Sequence, residues 1–176
     1  TGDLALLCAR RLQGRGTVLG LDMNREMLLR ARDKQCRRRL DVTWVLADAE
    51  TLPLPDDTFD RVVIGFSTRN LGDLTAGLRE MLRVLRPGGR LVILETGWPT
   101  HPVVRAGYQL FLFTVARAVG FLLTGRLWPF TYLARSVRQF LSPSQFVDRL
   151  QNLRSQVQYV PITHGLASLY LATKDA

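Results

Sequence analysis

Three short apolar runs in this 176-residue chain each end on a residue that could hold a ligand. Residues 17–22 (TVLGLD) close on Asp22, residues 42–47 are followed by Asp48 and Ala49, and residues 59–65 close on Gly65 and Phe66. A carboxylate after a buried strand can accept both hydroxyls of a ribose. A carboxylate followed by a backbone N–H can read the amino edge and a ring nitrogen of an adenine. A glycine lets a ligand approach the backbone closely. One Asp at a strand end is as well explained as a helix cap or a turn residue. Three such positions in order point to a nucleotide-like ligand. Thr1-Gly2-Asp3 opens the chain and runs into helix-spaced apolar residues over 4–12. It reads as the closing part of a glycine-rich loop whose following helix offers free N–H groups to a ligand, or as an ordinary helix start capped by Thr1 or Asp3.

The elements that must position these residues follow from hydrophobic period and punctuation. Strands are expected over 17–22, 42–47, 59–65 and 90–95, with a final pair over 156–160 and 166–172. Asn24 can cap a helix with Glu26 in its first turn, and the cations Arg37, Arg38 and Arg39 lie near its end. Residues 51–57 (TLPLPDD) form a proline-punctuated loop. A helix over 73–85 is expected to stop at Pro87-Gly88-Gly89, and Ser142-Pro143 starts another that runs to about 153. Strands alternating with helices require crossovers. The fold class is therefore α/β, a doubly wound, mostly parallel sheet with the last two strands antiparallel at one edge. Ligands of such sheets bind outside the carboxyl ends of the strands, where Asp22, Asp48 and Gly65 fall.

The length fits a single domain over 1–176. Residues 97–140 are aromatic, apolar and basic, and read as an insertion covering the ligand end of the sheet. The formal charge is +9, with 22 arginines and 2 lysines among the basic residues. Residues 101–150 hold 6 basic residues and 1 acidic residue. These cations are spaced among apolar residues and do not form a stripe, which argues against nucleic acid as a partner. Cys8 and Cys36 have neither metal-ligand nor disulfide-framework spacing, and no His or Cys constellation calls for a metal. No secretory leader pattern is present. Residues 103–123 are long enough as a helix to span a bilayer, but Arg105 and Arg117 make that costly. The expected place is the cytoplasm, with peripheral contact at a membrane surface.

The runs VLGLDMNREML, DAETLPLPDDTFDRVVIGF, RNLGD and REMLRVLRPGGRLVILE, with FTYLARSVRQF in the insertion, resemble the ubiquinone/menaquinone-biosynthesis C-methyltransferase family. That family belongs to the class I S-adenosylmethionine-dependent methyltransferases. DAETLPLPDDTFD and RVLRPGG mark the broader class; the IGFxxRN stretch and the aromatic insertion mark the quinone family. Ser67-Thr68 stand where the family usually has Gly-Leu.

The resemblance implies S-adenosylmethionine as cofactor and a prenylated quinol as substrate. It implies that Thr1, Gly2 and Asp3 close the motif around the methionine part of the cofactor. Asp22 would hold the ribose with Met23 beside it, Asp48 and Ala49 would contact the adenine, and Gly65 would line the floor. Arg69 and Asn70 would face the acceptor ring as the catalytic pair. An ion pair to Asp73 is the alternative use of Arg69, and a helix cap or turn that of Asn70. Tyr108, Phe111 and Tyr132 would take the polyisoprenoid tail, with Phe113, Trp128 and Phe130 near them. The resemblance also implies a central strand before Thr1. Without that strand, a groove is expected between the strands ending at Asp22 and Gly65, open to pairing with a second copy. Methylation of another small acceptor is the first alternative function; an inactive chain that only binds a partner is the second.

Overall fold

A computed structural model describes residues 1–97, 99, 102–115, 118, 119, 121, 122, 125 and 128–175, without the side chains of Leu112, Pro129, Phe130 and Ala134. The expectations for the Phe130 side chain and for Arg117 lie outside the described set. In chain order the elements are α1 (Asp3–Leu12), β1 (Leu19–Asp22), α2 (Arg25–Arg38), β2 (Thr43–Leu46), β3 (Phe59–Gly65), a 3-10 turn (Thr68–Asn70), α3 (Leu74–Arg83) and β4 (Leu85–Thr96). They continue with α4 (Pro102–Leu110), a π turn (Phe111–Val115), α5 (Trp128–Gln139), α6 (Pro143–Gln151), β5 (Ser155–Ile162) and β6 (Ala167–Lys174).

The strands form two sheets, β1-β2 and β3-β4-β6-β5. β1 pairs parallel with β2 and β3 parallel with β4, while β6 runs antiparallel to both β4 and β5. Among the described residues β1 and β3 are not hydrogen-bonded to each other. α1 leans across toward β3, where Leu4 Cδ1 would lie 2.9 Å from a Cβ on Gly65.

Local chemistry sets the element ends. Asn24 caps α2, its side chain accepting from the N–H of Glu26 at 2.9 Å, and Asp73 caps α3 by accepting from Ala76 N–H at 3.0 Å. Ser142 and Gln145 form a reciprocal capping box on α6, with Pro143 in its first turn. One boundary differs from expectation. α3 ends at Arg83, and β4 begins at Leu85 instead of 90. Val84 O accepts from the N–H groups of Thr58 and Phe59 at 2.9 Å each, so pairing with β3 starts before the Pro-Gly-Gly sequence. Pro87-Gly88-Gly89 is then a bulge inside the strand, not a stop. Phe59 pairs with Leu85 and Arg61 with Arg90.

The main core lies on one face of the four-stranded sheet. Leu78, Met81 and Leu82 of α3 and Phe146 and Leu150 of α6 meet Leu91 and Ile93 of β4 and Tyr170 and Ala172 of β6. Phe146 is fully buried, with its ring centroid 4.6 Å from that of Tyr170. A second cluster packs Leu6 and Ala9 of α1 against Val42, with Val18, Leu40 and Trp44 around them. The Trp44 ring lies over Gly20, its pairing partner on β1, where a Cβ would come within 2.2 Å of it.

Burial pushes the Tyr170 hydroxyl up to about 12 from an ordinary 10.0. Its folded-state value is raised, so the stability it contributes is complete below the unfolded value of 10.0 and is lost as pH rises toward 12. Alkaline melts should show a loss of roughly 2 kcal/mol across that window, and Tyr170→Phe should flatten it. Equal slopes in the two proteins would contradict this.

Candidate active site

The carboxyl ends of the strands carry the expected residues to one place. Asp22 ends β1 opposite Leu46 of the parallel β2, which puts Asp22 and Asp48 at the same end of that sheet. One Asp22 oxygen accepts from Asn24 N–H at 2.8 Å, and one Asp48 oxygen accepts from Glu50 N–H at 2.9 Å. The second oxygen of each has no partner among the described residues, which leaves an acceptor for ligand hydroxyl or amino groups. Met23 is largely exposed beside Asp22.

Glu50 joins the two sheets at this end. Its carboxylate accepts from the N–H groups of Gly72 at 2.6 Å and Asp73 at 3.1 Å. The loop after β2 is thereby fastened to the loop after β3. The proline loop that follows Glu50 is held in turn by Arg83, which donates to Leu52 O at 3.0 Å, Leu54 O at 2.9 Å, Glu80 and Asp56. The Arg83 hydrogen bonds keep the Glu80 carboxyl below its usual range.

Thr1, Gly2 and Asp3 form a small polar cluster at the start of α1. Lys34 Nζ donates to Asp3 Oδ2 at 2.7 Å and to Thr1 Oγ1 at 2.8 Å, and the Thr1 hydroxyl donates to the same Asp3 oxygen at 2.9 Å. The lysine hydrogen bond holds the Asp3 carboxyl below the usual carboxylate range. Gly2 has φ 75°, and a Cβ there would lie 2.5 Å from the Trp44 ring and 2.6 Å from Ala31. Only glycine fits both constraints.

Arg69 and Asn70 sit on the 3-10 turn after β3. Asp73 caps α3 and is not the partner of Arg69; the partner is Glu95, at the end of β4. Arg69 Nη1 donates to Glu95 Oε1 at 2.5 Å and to Phe66 O at 2.6 Å. The Glu95 side chain is fully buried and that of Arg69 is 10% exposed. Asn70 neither caps a helix nor makes only a turn, because its Oδ1 accepts from Tyr132 Oη at 2.8 Å. That bond ties α5 to the turn after β3. Trp128 stacks on Tyr132 at a centroid distance of 5.7 Å. Burial pushes the Tyr108 hydroxyl up and the nearby Arg69 charge opposes the shift, so Tyr108 belongs to the same neighbourhood. Phe111 is not brought into it. Its ring is half-exposed, whereas Phe113 packs with Tyr108, Leu133 and Val137.

Glu95, Glu50 and Lys34 were not among the residues singled out from sequence. Glu95 had a signal. Leu91, Ile93 and Glu95 alternate on one face of β4, a register that buries the carboxylate and so demands a cation. The partners of Glu50 and Lys34 are 22 and 31 residues away, with no local pattern to mark them.

The donor set fits S-adenosylmethionine: two carboxylates with open oxygens, a backbone N–H after the second, and a glycine where a strand ends. Two solved structures share this fold. A SAM-dependent methyltransferase from Aquifex aeolicus superposes with a TM-score of 0.68 at 18% identity, covering 95% of this chain and 73% of that one. The [4+2]-cyclase SpnF superposes at 0.71 and 17% identity, covering 99% and 71%. The fold is that of the class I S-adenosylmethionine-dependent methyltransferases. Sequence narrows the class. Residues 1–174 match the ubiE/COQ5 methyltransferase family. A ubiquinone/menaquinone biosynthesis C-methyltransferase of Shewanella oneidensis is 38% identical over 99% of this chain and 70% of its own length. A demethylmenaquinone methyltransferase of Lactiplantibacillus plantarum is 36% identical over 100% and 76%. The chain belongs to the ubiE/COQ5 methyltransferase family.

Proposed function

We propose that this methyltransferase moves a methyl group from S-adenosylmethionine to a ring carbon of a prenylated quinol. The observation that carries the reading is the joining of Arg69, Asn70 and Tyr132 beside the strand ends that hold Asp22, Asp48 and Gly65. When bound, S-adenosylmethionine supplies an electrophilic methyl on a sulfonium, open to in-line displacement. Asp22 would accept the ribose hydroxyls, Asp48 and the Ala49 N–H would hold the adenine, and Thr1 to Asp3 would border the methionine end. Arg69 faces the acceptor hydroxyl. Its charge favours the phenolate, which makes the ring carbon nucleophilic. Arginine stays charged at any working pH and does not take the proton itself. A water held by Asn70 carries that proton away. Holding the two reactants in line supplies much of the rate.

Asp22→Ala should weaken S-adenosylmethionine binding by about 1–3 kcal/mol, the cost of a lost hydrogen bond to a charged group. Calorimetry giving an unchanged dissociation constant would remove Asp22 from the site. Profiling quinols against other phenols separates this reading from methylation of another small acceptor.

The tail of the acceptor leads toward the cover and, in this reading, to a membrane surface. No described helix is long and apolar enough to cross a membrane. Val103, Leu110, Leu122 and Trp128 are all more than 60% exposed, in the region with 6 basic residues and 1 acidic. Exposed apolar side chains and cations together suit an anionic lipid interface. The protein should sediment with phosphatidylglycerol vesicles and be released by high salt. Equal sedimentation with neutral vesicles would contradict the electrostatic part.

A further inference from the structure

Glu95 accepts five hydrogen bonds while fully buried. Its Oε2 takes the Thr68 hydroxyl at 2.6 Å and Arg69 N–H at 3.3 Å. Its Oε1 takes Arg69 Nη1 at 2.5 Å, Thr96 N–H at 2.8 Å and the Thr96 hydroxyl at 3.1 Å. A carboxylate so enclosed cannot move with a ligand; it is part of the frame. The Nη1 group of Arg69 is used up by Glu95 and Phe66 O. By contrast, Arg69 Nε is buried and has no hydrogen-bond partner. In a guanidinium, Nε–H and one N–H of Nη2 point the same way and form a two-donor edge. That edge is what the Glu95 contact leaves over. A buried N–H without a partner costs free energy unless something supplies an acceptor.

We infer that Glu95, braced by Thr68, is a positioning residue that holds Arg69 by one end so that its Nε–Nη2 edge meets the acceptor oxygen. Thr68 contributes through its hydroxyl alone, because its bond fixes the Glu95 oxygen opposite the one that holds Nη1.

The inference rests on the proposed role of Arg69, and the test separates the two. Glu95→Gln keeps the shape and loses the charge. It should lower kcat roughly 50-fold, the scale of a misplaced catalytic group, with the cofactor dissociation constant changed less than about 2-fold. In an Arg69→Met background the same Glu95→Gln change should lower kcat no further, because the group it positions is already gone. Thr68→Val should lower kcat about 5-fold, and Thr68→Ser should restore it, since only the hydroxyl matters. These two variants decide the matter even if Glu95→Gln fails to fold. The inference is overturned if folded Glu95→Gln turns over normally, if it lowers kcat equally in both backgrounds, or if Thr68→Ser is as slow as Thr68→Val. If Arg69→Lys itself keeps full turnover, the failure lies with the role given to Arg69 and not with the brace.

Discussion

Arg69→Lys is expected to fold normally, bind S-adenosylmethionine as before, and transfer methyl to a quinol about 100-fold more slowly, as when other charge-stabilising donors are lost. Lysine keeps a cation beside the buried Glu95 carboxylate but lacks the planar fork whose second edge meets the acceptor. Arg69→Ala should be at least as slow. It also leaves Glu95 charged and unpaired in the interior, which costs roughly 3–5 kcal/mol of stability. The lysine variant is therefore the cleaner probe. Turnover and cofactor affinity should be measured together. If both fall in parallel, or neither falls, Arg69 is a frame residue and the acceptor is stabilised by something else.

Phe146→Ala should cost about 3–5 kcal/mol, among the larger effects open to a single core substitution in this chain. The ring is fully buried where α6 meets β6, with Phe140 at 5.4 Å and Tyr170 at 4.6 Å between centroids. In a domain of this size the melting temperature should drop by roughly 10 °C. Urea melts should show a lower midpoint with the slope unchanged. Phe111→Ala, at a half-exposed ring, should move stability by no more than about 0.5 kcal/mol. A loss below about 1 kcal/mol at Phe146 would mean that the α6 layer adds little to the core.

The periodic parts of the chain were legible before the structure. The strands ending at Asp22 and Gly65, the cap at Asn24 and the antiparallel last pair follow from alternation, capping chemistry and crossover rules. The β4 start was not. Pro87-Gly88-Gly89 looks like a helix stop, but backbone pairing to Thr58 and Phe59 begins just before it, and tertiary pairing outweighs the local turn signal. The site divides the same way. Asp22, Asp48 and Gly65 are marked by where strands end, which is a local fact. The partners of Arg69 and Asn70 lie 26 and 62 residues away, and only the fold brings Glu95 and Tyr132 to them. Of the aromatics expected to take the tail, Tyr108 and Tyr132 come to the turn that carries Arg69 and Asn70, while Phe111 turns outward. The π turn sets that phase, and helical spacing does not foretell it.

The measurement that bears most directly on the central claim is the fate of a labelled methyl group. The protein is incubated with methyl-labelled S-adenosylmethionine and a reduced demethylmenaquinone with a prenyl tail, and the product is located by mass spectrometry and NMR. The label is expected on the quinol ring carbon, with Arg69→Lys removing most of it. Label on a ring oxygen, or no transfer to the quinol while S-adenosylmethionine is bound, would contradict the account.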